Sequence, residues 1–254
     1  MKLGFAESAQ AEYDSGSQVA RILTEAWASK HAFCPHCGHS HLSQFQNNRP
    51  VADLYCANCN EEFELKIQKS KFGSKIVDDD NRSMCERLAA QNNPNLTLLN
   101  YSPTTGVNNF FVVPKHFFVT EIIEQRKPLR EGVRRAGWVG CNILLSRVPE
   151  AGKIHIVRDG EVLDRQIVLE QWRKTLFLRF ETDASRGWLL NVLKCVEAIR
   201  ANEFTLDEVY SFESHLSGLY PMNQHVRQKI RQQLQVLRDR GYLIFLGRGR
   251  YRLI

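Results

Sequence analysis

The residues best suited to chemistry lie in the first third of the chain. Residues 51–66 read VADLYCANCNEEFELK, which places Cys56-Ala-Asn-Cys59 between Asp53 and the triplet Glu64-Leu65-Lys66. Taking 51–57 and 61–68 as antiparallel strands joined at this knuckle, a turn centred between Asn58 and Cys59 sets Asp53 opposite Glu64. Glu64 and Lys66 are two apart on one strand and share a face. Two carboxylates held together need a cation, and a hard oxygen site that keeps waters suits Mg²⁺. Such an ion polarises a phosphate and acidifies a bound water. A neighbouring lysine orients or deprotonates that water, or offsets charge in the transition state. The chemistry expected is metal-dependent phosphodiester hydrolysis. The plainer account is an alternating strand that shows its charges to solvent.

The knuckle has a twin. Cys34-Pro-His-Cys37 precedes Cys56-Ala-Asn-Cys59 by 18 residues, a spacing that points to tetrahedral Zn²⁺ on four thiolates. A closed shell of soft ligands leaves no position for water, so this zinc is structural. His31, His36, His39 and His41 are nearby substitutes for a cysteine, and a redox thiol pair is the other reading. Zinc here would fix the turn, and hence the register that brings Asp53, Glu64 and Lys66 together. The remaining cysteines, 85, 141 and 195, are expected to be buried thiols.

The elements that must carry these groups follow from periodicity. The 254 residues are 43% hydrophobic, which supports a core and argues against disorder. SQVARILTEAWASKH, from Ser17 to His31, has helical spacing with a Ser at the cap. VADLYC, EFELKIQ, NLTLLNY, NNFFVVP, VGCNILL and KIHIVR read as strands. Helices are expected over 80–92, closed by Asn93-Pro94, and over 166–180. This is a mixed α/β domain ending near 180, followed by a linker at 181–187 (ETDASRG). Beyond it three helices (188–200, the segment FTLDEVYSFESHL capped by Thr205, and 223–240) precede a hairpin with a Gly-Arg-Gly tip. That is the outline of a winged helix. The division is therefore 1–182 and 183–254. Net charge is +6, of which +5 falls from Arg186 onward, with 11 Lys and Arg against 6 Asp and Glu. A basic module beside a nearly neutral one suggests nucleic-acid contact. The N-terminus lacks the apolar run of a signal peptide, and no stretch nears the roughly 20 apolar residues of a membrane span. A cytoplasmic protein with no membrane partner is expected.

FCPHCG, NNRPVADLYCANCNEEFELK, RRAGWVGCNI, SRGW and IRQQLQVLRD together resemble the DpnI-like methyl-directed restriction endonucleases, along the whole length. The resemblance implies a PD-(D/E)XK nuclease domain with a Cys₄ zinc site, followed by a winged helix. It further implies Mg²⁺-dependent cleavage of double-stranded GATC carrying N6-methyladenine. Asp53 and Glu64 would be Mg²⁺ ligands together with the Leu65 carbonyl, Lys66 the catalytic lysine, and the four cysteines the Zn²⁺ ligands. The family's Pro-Asp pair is here the looser Pro50-Val51-Ala52-Asp53. No other protein partner is required, and a palindromic site can be cut either by a dimer or by successive visits of a monomer.

N6-methylation leaves adenine one N6 hydrogen and adds an apolar group in the major groove, which a bidentate Asn or Gln contact tolerates poorly. Arg134-Arg135-Ala136-Gly137-Trp138 offers two cations and an indole flanked by glycines. Trp138 is the expected methyl contact, and a core tryptophan is the alternative. In the last helix Val226, Ile230, Leu234 and Leu237 should face inward. Gln224, Arg227, Gln228, Arg231 and Gln235 face outward with the chemistry of a major-groove reader. Arg248 and Arg250, at the hairpin tip, suit phosphate or minor-groove contact. Two rivals remain: a nuclease of this fold without methyl dependence, and a non-catalytic zinc and winged-helix regulator.

Overall fold

The strand NLTLLNY sits at the centre of the first unit of the fold, in a computed structural model that describes residues 1–5, 16–46, 52–90 and 92–254. The elements run α1 (Gly16–His31), β1 (Ser43–Gln44), β2 (Leu54–Tyr55), β3 (Glu62–Gln68), β4 (Ile76–Asp80), α2 (Asn81–Ala90), β5 (Asn95–Ser102) and β6 (Gly106–Val113). Then come β7 (Ile123–Gln125), β8 (Gly140–Ile143), β9 (Ile154–Arg158), β10 (Glu161–Val162) and α3 (Arg165–Thr175). The last part holds α4 (Asp183–Ala198), β11 (Glu203–Thr205), α5 (Leu206–Tyr210), α6 (Glu213–Leu219), α7 (Val226–Asp239), β12 (Leu243–Gly247) and β13 (Arg250–Leu253).

One unit comprises residues 1–74, 86–115 and 150–176. Its seven-stranded sheet has the order β1-β2-β3-β5-β6-β9-β10. Every pairing is antiparallel except β3 with β5, which is parallel. A parallel pair needs a long crossover, and the 26 residues between Gln68 and Asn95 supply it. The first seven residues of β5 are all buried, as a central strand covered on both faces must be. Trp27 and Ala28 of α1, Phe63, Leu99, Phe110, Ile156 and Trp172 join one core cluster. The Trp27 ring meets Phe110 edge-on at 5.4 Å between centroids. Trp172 is fully buried and its indole N–H donates to His36 Nδ1 at 3.0 Å, so burying it leaves no polar atom unmatched. Helix α1 begins at Gly16, so Ser17 lies inside it rather than at its cap. Helix α3 starts on Asp164, whose carboxylate accepts from the N–H groups of Gln166 and Ile167. The helix expected to run to Phe180 turns into a 3₁₀ segment at Leu176.

The other unit comprises residues 75–85, 116–149 and 177–254. It holds a three-stranded sheet of order β4-β8-β7 and another of order β11-β13-β12. Helix α4 corrects the expected linker at 181–187. Thr182 is its cap, accepting from the Ser185 N–H, and Arg186 and Gly187 are buried within it. A polar run ending in Gly looked like a break, but polar residues also make a first helical turn. The segment FTLDEVYSFESHL is two helices and not one. Thr205 and Glu208 form a reciprocal capping box at the start of α5, and the chain breaks at Ser211 before α6. In α7 the expected inward residues Val226, Ile230, Leu234 and Leu237 are buried, and so is Gln233. Strands β12 and β13 meet at Gly247-Arg248-Gly249, where φ is +90°, +49° and +72°. Two of those three left-handed positions are glycines, which adopt them without a steric penalty. These helices and the β11-β13-β12 sheet make the winged helix. Among the described residues no helix is long and apolar enough to cross a membrane.

Candidate active site

The hairpin at the second knuckle has the register expected of it. Leu54 pairs with Phe63 and Tyr55 with Glu62, and the Cys56 N–H donates to the Glu61 carbonyl at 2.9 Å. Strand β2 is shorter than expected, because the ladder ends at Asp53. There the Asp53 N–H donates to the Phe63 carbonyl at 3.0 Å, and Asp53 Oδ2 accepts from the Leu65 N–H at 2.7 Å. The side chain thus reaches along β3 and is held beside the Glu64-Leu65-Lys66 segment. Lys66 Nζ lies 2.6 Å from Glu64 Oε1, with the two side chains 26% and 19% exposed and Asp53 21% exposed. They are sheltered yet open to a ligand. Pro50 and Val51, the start of the loose Pro-Asp pattern, lie outside the described residues.

The first unit positions this patch from two sides. On one side the four cysteine sulfurs all lie within 4.8 Å of one another, with Cys34 to Cys59 at 3.6 Å and Cys37 to Cys56 at 3.5 Å. Four thiolates on a tetrahedral zinc stand about 3.8 Å apart, from a Zn–S bond of about 2.3 Å, so the donor set fits that ion. The two knuckles repeat one backbone design. Gly38 and Asn60 each follow the second cysteine, with φ of +76° and +58°. Their N–H groups return to Cys34 and Cys56 carbonyls at 2.8 Å. Burial pushes the Cys34 thiol well up and the Cys59 thiol to about 12. At Cys37 burial is outweighed by hydrogen bonds from Asn58 and the His39 N–H, which bring it to about 7. Such a cluster ionises fully only with a cation to share. Among the described residues these four cysteines are the one group of three or more such side chains whose ligand atoms gather this closely, with no histidine in the set. Of the other cysteines, Cys141 and Cys195 are buried as expected, whereas Cys85 is exposed on α2, since helix periodicity turns that position outward.

On the other side Asn95 ties the knuckle to the central strand. Its amide donates to Glu61 Oε2 at 2.8 Å and to the Glu62 carbonyl at 2.9 Å. Its own oxygen accepts from the Lys115 N–H at 3.0 Å. Lys115 Nζ stands 3.6 Å from the buried Glu61 carboxylate. Asn95 is buried with both its amide nitrogen and its oxygen partnered, an arrangement that rigidifies its surroundings. Sequence reading missed it, and it also missed Arg21, whose Nη2 lies 3.1 Å from Asp53 Oδ1. The available signal was Arg21 and Glu25 one helical turn apart.

The second unit carries the expected DNA-reading residues on two features. In the loop from Leu129 to Trp138, backbone N–H groups of Leu129 and Gly137 reach the Trp138 and Leu129 carbonyls at 2.9 Å. Arg134 and Arg135 are exposed and Trp138 is half-buried. The indole lies across Gly140, where an added Cβ would come within 2.7 Å of the ring. Arg135 stands 5.9 Å from its centroid. The other feature is α7. Gln224, Arg227, Gln228, Arg231 and Gln235 are exposed, with Gln224 just ahead of the helix. Arg227 and Arg231 flank the Tyr210 ring at 5.0 and 5.6 Å, and Arg227 is also paired with Glu213 at 2.8 Å. Arg248 is exposed at the hairpin tip. Arg250 is not at the tip: it opens β13 and pairs with Glu203 of β11 at 2.8 Å, a strand too short to be read from periodicity.

Residues 1–181 match the model of the family described as DpnI, the Dam-replacing family. Residues 184–253 match that of the DpnI C-terminal region, the Dam-replacing HTH domain.

Proposed function

This chain belongs to the Dam-replacing DpnI family, a family of DNA nucleases, and from that premise we propose that it is a methyl-directed type II restriction endonuclease. Its substrate is double-stranded GATC with N6-methyladenine, cut by Mg²⁺-dependent phosphodiester hydrolysis in a PD-(D/E)XK domain. The observation that carries the reading is the close grouping at β3. Asp53 is held by the Leu65 N–H at 2.7 Å, and Lys66 touches Glu64 at 2.6 Å.

Asp53, Glu64 and the Leu65 carbonyl would hold the Mg²⁺, a donor set of hard oxygens that suits it. When bound, the ion supplies Lewis-acid stabilisation of the phosphate and a more acidic water. The protein's own contribution is geometric and electrostatic. Asp53 stays aimed because its second oxygen is fixed by backbone. Lys66, paired with Glu64, keeps its ammonium at the patch, where it orients the attacking water or offsets charge on the phosphorane-like transition state. The Cys₄ zinc holds the turn that sets both carboxylates. Residues 1–182 cut and also touch DNA, and 183–254 add a second DNA-binding module. Trp138 provides an apolar wall for the methyl group, with Arg134 and Arg135 on neighbouring phosphates or guanine. The polar face of α7 lies in a major groove, while Arg248 and Arg250 contact the backbone.

One plasmid prepared from adenine-methylating and non-methylating hosts tests this, digested with Mg²⁺ and with EDTA. Discrete fragments only from the methylated plasmid with Mg²⁺ are expected. Cutting of both plasmids would keep the nuclease and remove the methyl requirement. Binding without cutting by folded, zinc-loaded protein would favour a DNA-binding regulator.

A further inference from the structure

Arg21 is the charged group beside Asp53 that the hydrolase reading leaves without a role. It projects from α1, and its side chain is 65% exposed. Its Nε donates to Glu25 one turn along, and its Nη2 reaches Asp53 Oδ1 at 3.1 Å. Asp53 Oδ2 accepts from the Leu65 N–H. A metal that took Asp53 Oδ1 would meet the guanidinium of Arg21 on the same oxygen. A guanidinium and a divalent ion on the same oxygen repel each other, so binding one weakens binding of the other.

We propose that Arg21 is an exchangeable cation, which holds Asp53 while the metal is absent and moves to a DNA phosphate oxygen when the metal takes Asp53. The proposal rests on the hydrolase reading. Glu25 is the tether: its pairing keeps the guanidinium at the rim of the site after Asp53 lets go. The planar fork of N–H donors matches a phosphate as well as it matches a carboxylate. The consequence is reciprocal. Metal frees the guanidinium for DNA, and DNA draws it off Asp53, so each ligand tightens the other. A lone metal ion in solution is meanwhile disfavoured, which keeps the site quiet until DNA is present.

Calorimetric titration of Mn²⁺ into full-length, zinc-loaded protein tests this, with and without a methylated GATC duplex made resistant to hydrolysis. Arg21→Ala should bind Mn²⁺ about two- to fivefold more tightly without DNA, the range expected for losing one solvent-screened ion pair. It should also lose most of the tightening that the duplex gives the wild type, while Arg21→Lys should retain part of it. Unchanged or weaker Mn²⁺ binding by Arg21→Ala without DNA would overturn the proposal, as would undiminished coupling to the duplex. Asp53→Asn separates the two readings. If it binds Mn²⁺ like the wild type, the metal site itself is wrong and the role of Arg21 goes with it. If it loses Mn²⁺ while Arg21→Ala behaves as wild type, the role of Arg21 alone is refuted.

Discussion

Lys66 and Glu64 stand 2.6 Å apart on one face of β3, and the residue-scale consequence is that their contributions separate cleanly from folding. Neither side chain is in the core, so removing one should leave the fold intact. Lys66→Ala is expected to lower cleavage of methylated plasmid by about 10²- to 10⁴-fold, the usual worth of a positioned proton-transfer group. Affinity for a methylated duplex, measured by fluorescence anisotropy, should stay within about twofold. A binding-only regulator would show no output that depends on this amine. Loss of binding in step with cleavage would mean that Lys66 supports structure instead.

At the scale of elements, the zinc hairpin and the β6–β9 ladder each make a claim. The knuckles flank the turn on which the 54 to 63 and 55 to 62 pairings depend, so a zinc held there and the carboxylate register would act as one unit. Stripping zinc with a strong chelator and then restoring Mg²⁺ alone should leave the enzyme inactive and lower its melting temperature. Adding zinc back should recover both, and full activity without zinc would refute the staple. In β9, His155 stacks on Phe111 of β6 at 4.8 Å. Burial, aided by the nearby Arg158 charge, pulls its pKa down from 6.5 to about 4. The folded state therefore binds fewer protons than the unfolded state between those values. By linkage, stability is full above about pH 6.5 and falls as the pH drops towards 4. His155→Phe should flatten that part of the stability curve. Urea midpoints at pH 7 and pH 5 would measure it, and an equal acid loss in the variant would assign the slope to other groups.

At the scale of the whole molecule, charge is unequally shared, with a net +5 from Arg186 onward against +6 for the chain. DNA affinity should therefore be strongly salt-dependent, with the dependence carried by this region. If Arg227 and Arg231 meet phosphates, replacing both with alanine should reduce the slope of log affinity against log salt by about two. If they read bases, the slope should hold nearly steady while discrimination against altered sites falls. Both lie on exposed turns of α7 and share the Tyr210 ring, so some loss from helix packing must be checked by thermal melting.

The sequence by itself determined the local features: the Cys₄ set, the turn that counts Asp53 against Glu64, the central strands, and the inward face of α7. Each rests on a short-range rule of spacing, two residues per strand repeat or 3.6 per helical turn, which the chain obeys before it folds. Tertiary structure alone decided the rest. The partnership of β3 with β5 is parallel and needs a crossover, so nothing local encodes it. The contact of Arg21 with Asp53 spans 32 residues, and that of Asn95 with Glu61 spans 34. The polar run 181–187 became the start of α4, because burying Arg186 and Gly187 among their neighbours outweighed its loop-like composition. Grouping of residues 75–85 and 116–149 with the C-terminal region is likewise a product of packing, which sums contacts that no window along the sequence can see.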